Sequence, residues 1–222
     1  MSIKNEIQKF KNILPKNVNL IAVSKTKPNE DILEAYGAGQ LHFGENKAQE
    51  MSEKYAPLPH DIKWHFIGHL QTNKVKYIIP FAHLIHSIDS IKLLGEVNKH
   101  AYKNQLIVDC LLQFHIATEE TKFGLDLKEA QSILACDYFK TLLNIRIVGI
   151  MGMATLTDDK EMIRKEFRYL KNCFDELKEE FYPNTTSFKE ISMGMTDDYQ
   201  IAIEEGSTMV RIGSAIFGAR NY

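Results

Sequence analysis

Apolar residues three and four apart open the chain. Ile3, Ile7, Phe10 and Leu14 share one helical face, which predicts a helix over about residues 1–15. Further on, the pattern changes to short, nearly continuous apolar runs at residues 20–23, 41–43, 64–67, 84–88, 106–114, 145–150, 188–191 and 209–212. Helical patterns separate them, among them "NEDILEAYGAG" and "DSIKLLGEVNKHAYKN", with Asn29 and Asp89 as expected N-caps. "TDDYQIAIEEGS" carries Thr196 at its head, acids in its first turn and Gly206 just past its end, the punctuation of a helix. Strands of continuous apolar character that alternate with helices form parallel sheets covered by those helices. Eight such units in a chain of this length predict a closed (β/α)8 TIM barrel rather than an open doubly wound sheet. The first turn also lacks the G-x-G-x-x-G of dinucleotide binders. No low-complexity stretch or Pro/Gly/Ser linker divides the sequence, so residues 1–222 are expected to form one domain.

Composition narrows the classes of partner. The 222 residues are 44% hydrophobic and 25% charged, ordinary for a globular protein, and the net charge is −2. No Lys/Arg block stands out, which argues against nucleic acid or an anionic membrane as the main partner. No apolar run approaches the length of a bilayer span, and the N-terminus lacks a signal-peptide core or transit-peptide composition; a cytoplasmic location is expected. Cys110, Cys136 and Cys173 are widely spaced and odd in number, as for thiols in a reducing compartment. His65/His69 and His83/His86 have ligand-like spacing but no flanking Cys or carboxylate, so packing or hydrogen bonding is expected and no metal site is assigned.

In a parallel barrel the chemistry gathers where the strands run out. The residues there include Lys25, Gly44-Glu45-Asn46, Gly68-His69, Met151-Gly152-Met153, Ser192 to Thr196, and Arg211 with Gly213 and Ser214. An amine that is partly dehydrated and near other cations loses its proton more readily, and the neutral amine condenses with a carbonyl. The seventh and eighth loops, "SMGMTDD" and "RIGSAIFG", put small residues ahead of helix starts, where backbone amides close on phosphate oxygens. An amine at a strand end together with a phosphate cradle is the pair of contacts that pyridoxal phosphate requires. Arg211, two residues before Gly213, is expected to point into the barrel mouth. It could bind a carboxylate or phosphate, donate to a ring nitrogen, or pair with Glu190. Lys27 is expected to be a solvated loop lysine, because Pro28 interrupts the strand, and the methionines at 151, 153, 193 and 195 to be packing residues.

The motifs "IAVSKTKP", "FGENKAQE", "WHFIGHLQTNK", "ETKFG", "GIMGM", "ISMGMTDDY" and "MVRIGSAIFGAR" resemble, in order, those of the pyridoxal phosphate homeostasis protein family. These are relatives of the alanine racemase N-terminal barrel. The resemblance implies that Lys25 forms an internal aldimine with pyridoxal 5'-phosphate. It implies that Ser192, Thr196 and the backbone of Gly213 and Ser214 hold the phosphate, that Arg211 faces the pyridine nitrogen and that Asn46 lies beside the cofactor. His69 and Lys122 match family positions, and neither is assigned a role. Three departures are visible: Lys47 where an aromatic residue is common, Thr196 for a frequent serine and His115 for a frequent asparagine.

Racemases of this barrel type take a second base from an added C-terminal β domain, for which the sequence, ending at Tyr222 just after the eighth unit, leaves no room. The resemblance therefore implies a protein that holds pyridoxal phosphate for homeostasis and releases it by reversible imine exchange, rather than an enzyme with its own catalytic residues. Small amines or amino acids are the implied exchange partners, with transient contact to apo-enzymes that need the cofactor. A weak racemase using a rim tyrosine or histidine, and an aldolase-like barrel using Lys25 on a phosphorylated sugar, are the alternatives.

Overall fold

A computed structural model describes residues 2–119 and 123–218. The chain begins with helix α1 (Ile3–Ile13), followed by strand β1 (Asn19–Val23), α2 (Asn29–Gly37), β2 (His42–Glu45), α3 (Ala48–Tyr55) and β3 (Lys63–Phe66). Next come α4 (Val75–Ile78), β4 (Ala82–Ile88), α5 (Ile91–Lys103), β5 (Val108–Phe114), α6 (Leu127–Ala135) and α7 (Asp137–Lys140). The last third holds β6 (Ile145–Gly152), α8 (Lys160–Phe181), β7 (Glu190–Ser192), α9 (Tyr199–Glu204), β8 (Met209–Ile212) and α10 (Ser214–Phe217). Each strand pairs in parallel with the next, and β8 returns to β1 through Asn19↔Met209 to Ala22↔Ile212, closing the barrel expected from the sequence.

Two apolar layers hold it. Between strands and helices lies the main core, to which α8 contributes Ile163, Phe167, Leu170, Phe174 and Leu177 at three- and four-residue spacing. Each such side chain contributes roughly 1.5–3 kcal/mol by leaving water. Inside the barrel, Ile21, Leu84, Leu111, Val148, Met151 and Met209 form a second cluster. The remaining interior is polar, with His65, His86, Gln113, Ser192 and Arg211 all buried.

Several local expectations shift. The N-cap of α5 is Ser90, whose hydroxyl accepts from the Leu93 N–H, and not Asp89; Asn29 is the first helical residue after Pro28. Asp198, not Thr196, precedes α9, and its carboxylate accepts from the Met195 N–H at 2.5 Å. Asp198 makes no side-chain bond to the first turn of α9, and the Thr196 hydroxyl lies beside that of Ser214 instead. The seventh strand spans 190–192 where the apolar run suggested 188–191, so Ser192 ends the strand instead of opening the loop.

Candidate functional site

A cavity of about 520 Å³ opens where the strands end, lined by Lys25, Lys27, Asn46, Thr196, Arg211, Gly213 and Ser214 among others. This volume lies within the usual range for a small-molecule site. Six of the seven residues nominated from the sequence thus share one wall system. The seventh, Ser192, is fully buried and absent from the lining. Its hydroxyl accepts from Arg211 Nη1 at 2.7 Å and meets His86 Nδ1 at 2.9 Å, so it supports the arginine from below.

Lys25 is held by its neighbours in sequence. Ser24 donates its hydroxyl to Glu45 Oε1 at 2.6 Å, and Lys54 Nζ donates to the Ser24 carbonyl (2.8 Å), to Glu45 Oε1 (2.8 Å) and to Glu50 Oε1 (2.7 Å). Glu50 Oε1 also accepts from the Thr26 N–H. Both residues flanking Lys25 are therefore tied to one buried ion cluster. Burial pushes the Glu45 carboxyl up, against the opposing pull of Lys54. Thr26 sits at φ 63°, a left-handed conformation that costs a β-branched residue on the order of 1–3 kcal/mol and needs such a clamp. The kink also turns Lys27 into the cavity, where its Nζ donates to the Phe217 carbonyl at 2.7 Å. Lys27 is therefore a wall residue and not the solvated loop lysine expected from Pro28.

Arg211 does not pair with Glu190, which accepts instead from the Thr208 hydroxyl. Its Nη1 donates to the Ser192 carbonyl and hydroxyl, both at 2.7 Å, and its Nη2 to the Gly152 carbonyl at 3.0 Å. Burial pushes its pKa down to about 10, partly offset by Asp198. Opposite, Asn46 reaches the cavity because Gly68 permits a close backbone approach: a Cβ there would stand 2.2 Å from the Asn46 carbonyl oxygen. The Asn46 Oδ1 atom is buried without a hydrogen-bond partner among the described residues, an acceptor that suits a ligand donor. On the phosphate side expected from the sequence, the Thr196 and Ser214 hydroxyls lie 3.2 Å apart. Gly194 at φ 96° makes the turn that brings Thr196 there.

Gln113, Phe123 and Asp197 also belong to the lining, and the sequence pattern did not point to them. Gln113 donates to the Phe123 carbonyl at 2.8 Å, and Phe123 stacks on His69 with ring centroids 4.1 Å apart. Gln113 sits inside a run that reads as continuous strand, so nothing local marks it. Met153 and Met195 line the cavity, whereas Met151 and Met193 are buried packing residues as expected. Lys122 lies outside the described residues.

Beneath the cavity a file of polar rings crosses the barrel. His86 Nε2 meets His65 Nδ1 at 2.9 Å, and His65 Nε2 meets His42 Nδ1 at 2.9 Å. Burial lowers the pKa of all three, His42 to about 4, so the rings are neutral at neutral pH. Arg211 can only donate. The Ser192 hydroxyl accepts from it and donates its own O–H to His86 Nδ1. His86 and His65 then each donate through Nε2 to the next ring, and the file ends at His42 Nδ1.

A lysine, a buried guanidinium and paired hydroxyls thus meet at the C-terminal mouth of a (β/α)8 barrel. The model of the family "Alanine racemase, N-terminal domain" matches residues 1–221. Among the relatives, the pyridoxal phosphate homeostasis protein of Aquifex aeolicus is 41% identical over 91% of this chain and 87% of its own. The human protein of the same name is 38% identical over 91% of this chain and 77% of its own. The chain belongs to the pyridoxal phosphate homeostasis protein family, within the class of alanine racemase N-terminal barrels. PipY of Synechococcus elongatus, in a structure described as having PLP bound, superimposes with a TM-score of 0.88 at 33% identity, covering 98% of this chain and all of that one. Alanine racemase of Bartonella henselae shares the fold at 16% identity and a TM-score of 0.72, over 98% of this chain and 58% of its own.

Proposed function

We propose that this chain binds pyridoxal 5'-phosphate and serves its homeostasis, holding the cofactor through a Schiff base on Lys25 and releasing it by imine exchange. One observation carries the reading: Lys25, Arg211 and the Thr196–Ser214 hydroxyl pair line the same cavity. When bound, the cofactor supplies an aldehyde that condenses with an amine and expels water. The chain's own residues do the rest. Lys25 offers the amine from a kinked, clamped turn, so little reorganisation is needed. Thr196, Ser214 and the amides that open α10 offer donors to a phosphate. Arg211, already anchored through three bonds, would donate from its guanidinium to the ring nitrogen and, giving up a proton with difficulty, would leave that nitrogen unprotonated. Asn46 Oδ1 fits a donor at the ring edge.

Release would need an incoming amine, free or on an apo-enzyme, to take the place of the Lys25 amine, which would be freed to accept another cofactor. The described residues include no helix long and apolar enough to cross a membrane. Three free cysteines suit a reducing cytoplasm, where we place this exchange.

The test is to mix the purified chain with pyridoxal phosphate, reduce with borohydride and map the label by peptide mass. A phosphopyridoxyl group on Lys25, absent in Lys25→Ala, is expected. An unlabelled Lys25 in a protein that stays colourless would overturn the reading. Transfer is checked by adding an apo-enzyme: loss of cofactor no faster than its spontaneous release would rule out direct hand-off.

A further inference from the structure

At the opposite, N-terminal mouth of the barrel three histidines come together from three successive strands. His42 opens β2, His65 is the third residue of β3 and His83 the second of β4. Their ring centroids are 5.1 Å (His42–His65), 5.7 Å (His42–His83) and 5.3 Å (His65–His83) apart. One nitrogen from each lies within 4.8 Å of the other two. From this geometry we infer that His42, His65 and His83 form a binding site for a divalent late transition metal of the zinc class.

The distances favour it. His42 Nδ1 and His65 Nε2 face each other at 2.9 Å, near the edge of roughly 3.3 Å that a tetrahedral zinc site with bonds of about 2.0–2.1 Å requires. His83 is exposed and makes no hydrogen bond among the described residues, so its ring can swing in as the third ligand at small cost. Three neutral imidazoles suit zinc, copper or nickel and not the oxygen-seeking magnesium or calcium.

Supporting contacts are already within hydrogen-bond distance. Ligation through His65 Nε2 reverses the file: that ring's proton moves to Nδ1 and donates to His86 Nε2, and His86 Nδ1 donates to the Ser192 hydroxyl, which gives up the bond it donated to His86 and still accepts from Arg211. A ligating histidine characteristically gives its second N–H to such a buried acceptor, which fixes ring orientation and raises basicity. Every ring stays neutral, so the rings neither take up nor release protons overall. Two charges act on the rim. The Lys63 ammonium opposes a cation near His42 and His83, and the Asp109 carboxylate attracts one near His83. Asp109 is shared with Arg146 through two hydrogen bonds, which blunts its effect. Three protein ligands would leave a fourth coordination position for water.

The test titrates Zn2+ into the untagged, full-length apo-protein against a chromophoric competitor, with Co2+ as an optical probe of geometry. One equivalent is expected to bind, and His83→Ala and His42→Gln are each expected to weaken binding at least tenfold. His100→Ala, a histidine on α5 beside Glu96 that is not part of the cluster, should leave it unchanged. His83 is exposed, so its replacement leaves folding intact and keeps the outcome interpretable. Binding equally tight in His83→Ala, or less than half an equivalent bound by the parent, would overturn the inference.

Discussion

Replacing Lys54 with methionine tests whether the buried ion cluster positions Lys25. Met keeps the length and apolar stem of the lysine and removes the ammonium. Three acceptors lose their donor together: the Ser24 carbonyl, Glu45 Oε1 and Glu50 Oε1. Glu50 is partly exposed and can turn to water, but Glu45 is fully buried and keeps only the Ser24 hydroxyl as a donor among the described side chains. Breaking a buried pair by deleting one member costs about 3–5 kcal/mol, because the surviving charge stays desolvated. At about 2–4 °C per kcal/mol for a domain of this size, thermal unfolding should begin about 6–20 °C lower. Lys54→Met/Glu45→Leu, which deletes both charges, should regain most of that stability, since an apolar pair of similar volume is often no worse than the ion pair. If the strain at Thr26 is borne by the same cluster, borohydride labelling of Lys25 in Lys54→Met should also slow while reaching the same end-point. Urea melts and labelling time courses read both effects. A single mutant within about 1 kcal/mol of the parent, or a double mutant no better than the single, would refute the clamp.

Two further outcomes follow from the same geometry. Gly194→Ala puts a methyl group 2.6 Å from the Ala202 Cβ at a φ of 96°, so overpacking and backbone strain together should cost about 2–5 kcal/mol in a urea melt and weaken retention of the labelled cofactor by displacing Thr196. Acidification should destabilise the fold between about pH 6.5 and 4: burial lowers the pKa of His42, His65 and His86, so the unfolded chain binds protons that the folded chain refuses. Stability is full above the unfolded histidine pKa and falls as pH drops below it, by up to about 1.4 kcal/mol per pH unit for each ring, and denaturant midpoints flat from pH 7.5 to 5 would contradict the neutral file.

The fold was largely legible because parallel strands covered on both faces read as uninterrupted apolar runs, and all eight runs overlap observed strands. What periodicity could not deliver was the last residue of each strand. At β7 the apolar run stops at Ile191, yet hydrogen bonding carries the strand to Ser192, and one position decides whether a side chain faces the interior or the mouth. The same limit explains Thr196 and Asp198, where two capping-competent residues stand two apart and composition alone does not rank them. Lys27 was misjudged for a different reason. A threonine in the left-handed region is contrary to its propensity, and the Glu45–Lys54–Glu50 contacts that enforce it join residues far from Thr26 in sequence.

That asymmetry between mouth and interior has a physical cause. Residues at strand ends border loops, where a lysine or a glycine interrupts an apolar pattern and announces itself; six of the seven nominated residues line the cavity for that reason. Interior polar residues arrive singly, one per strand, and each looks like an isolated exception in its own apolar run. His42, His65, His86, Ser192 and Arg211 come from five different strands and become a continuous file only after β8 closes on β1 and the strands tilt. Spacing rules for metal ligands compare residues within one segment, so they weighed His65 with His69 and His83 with His86. The closed barrel instead sets His65 beside His42 and His83, three neighbours that no local motif could bring together.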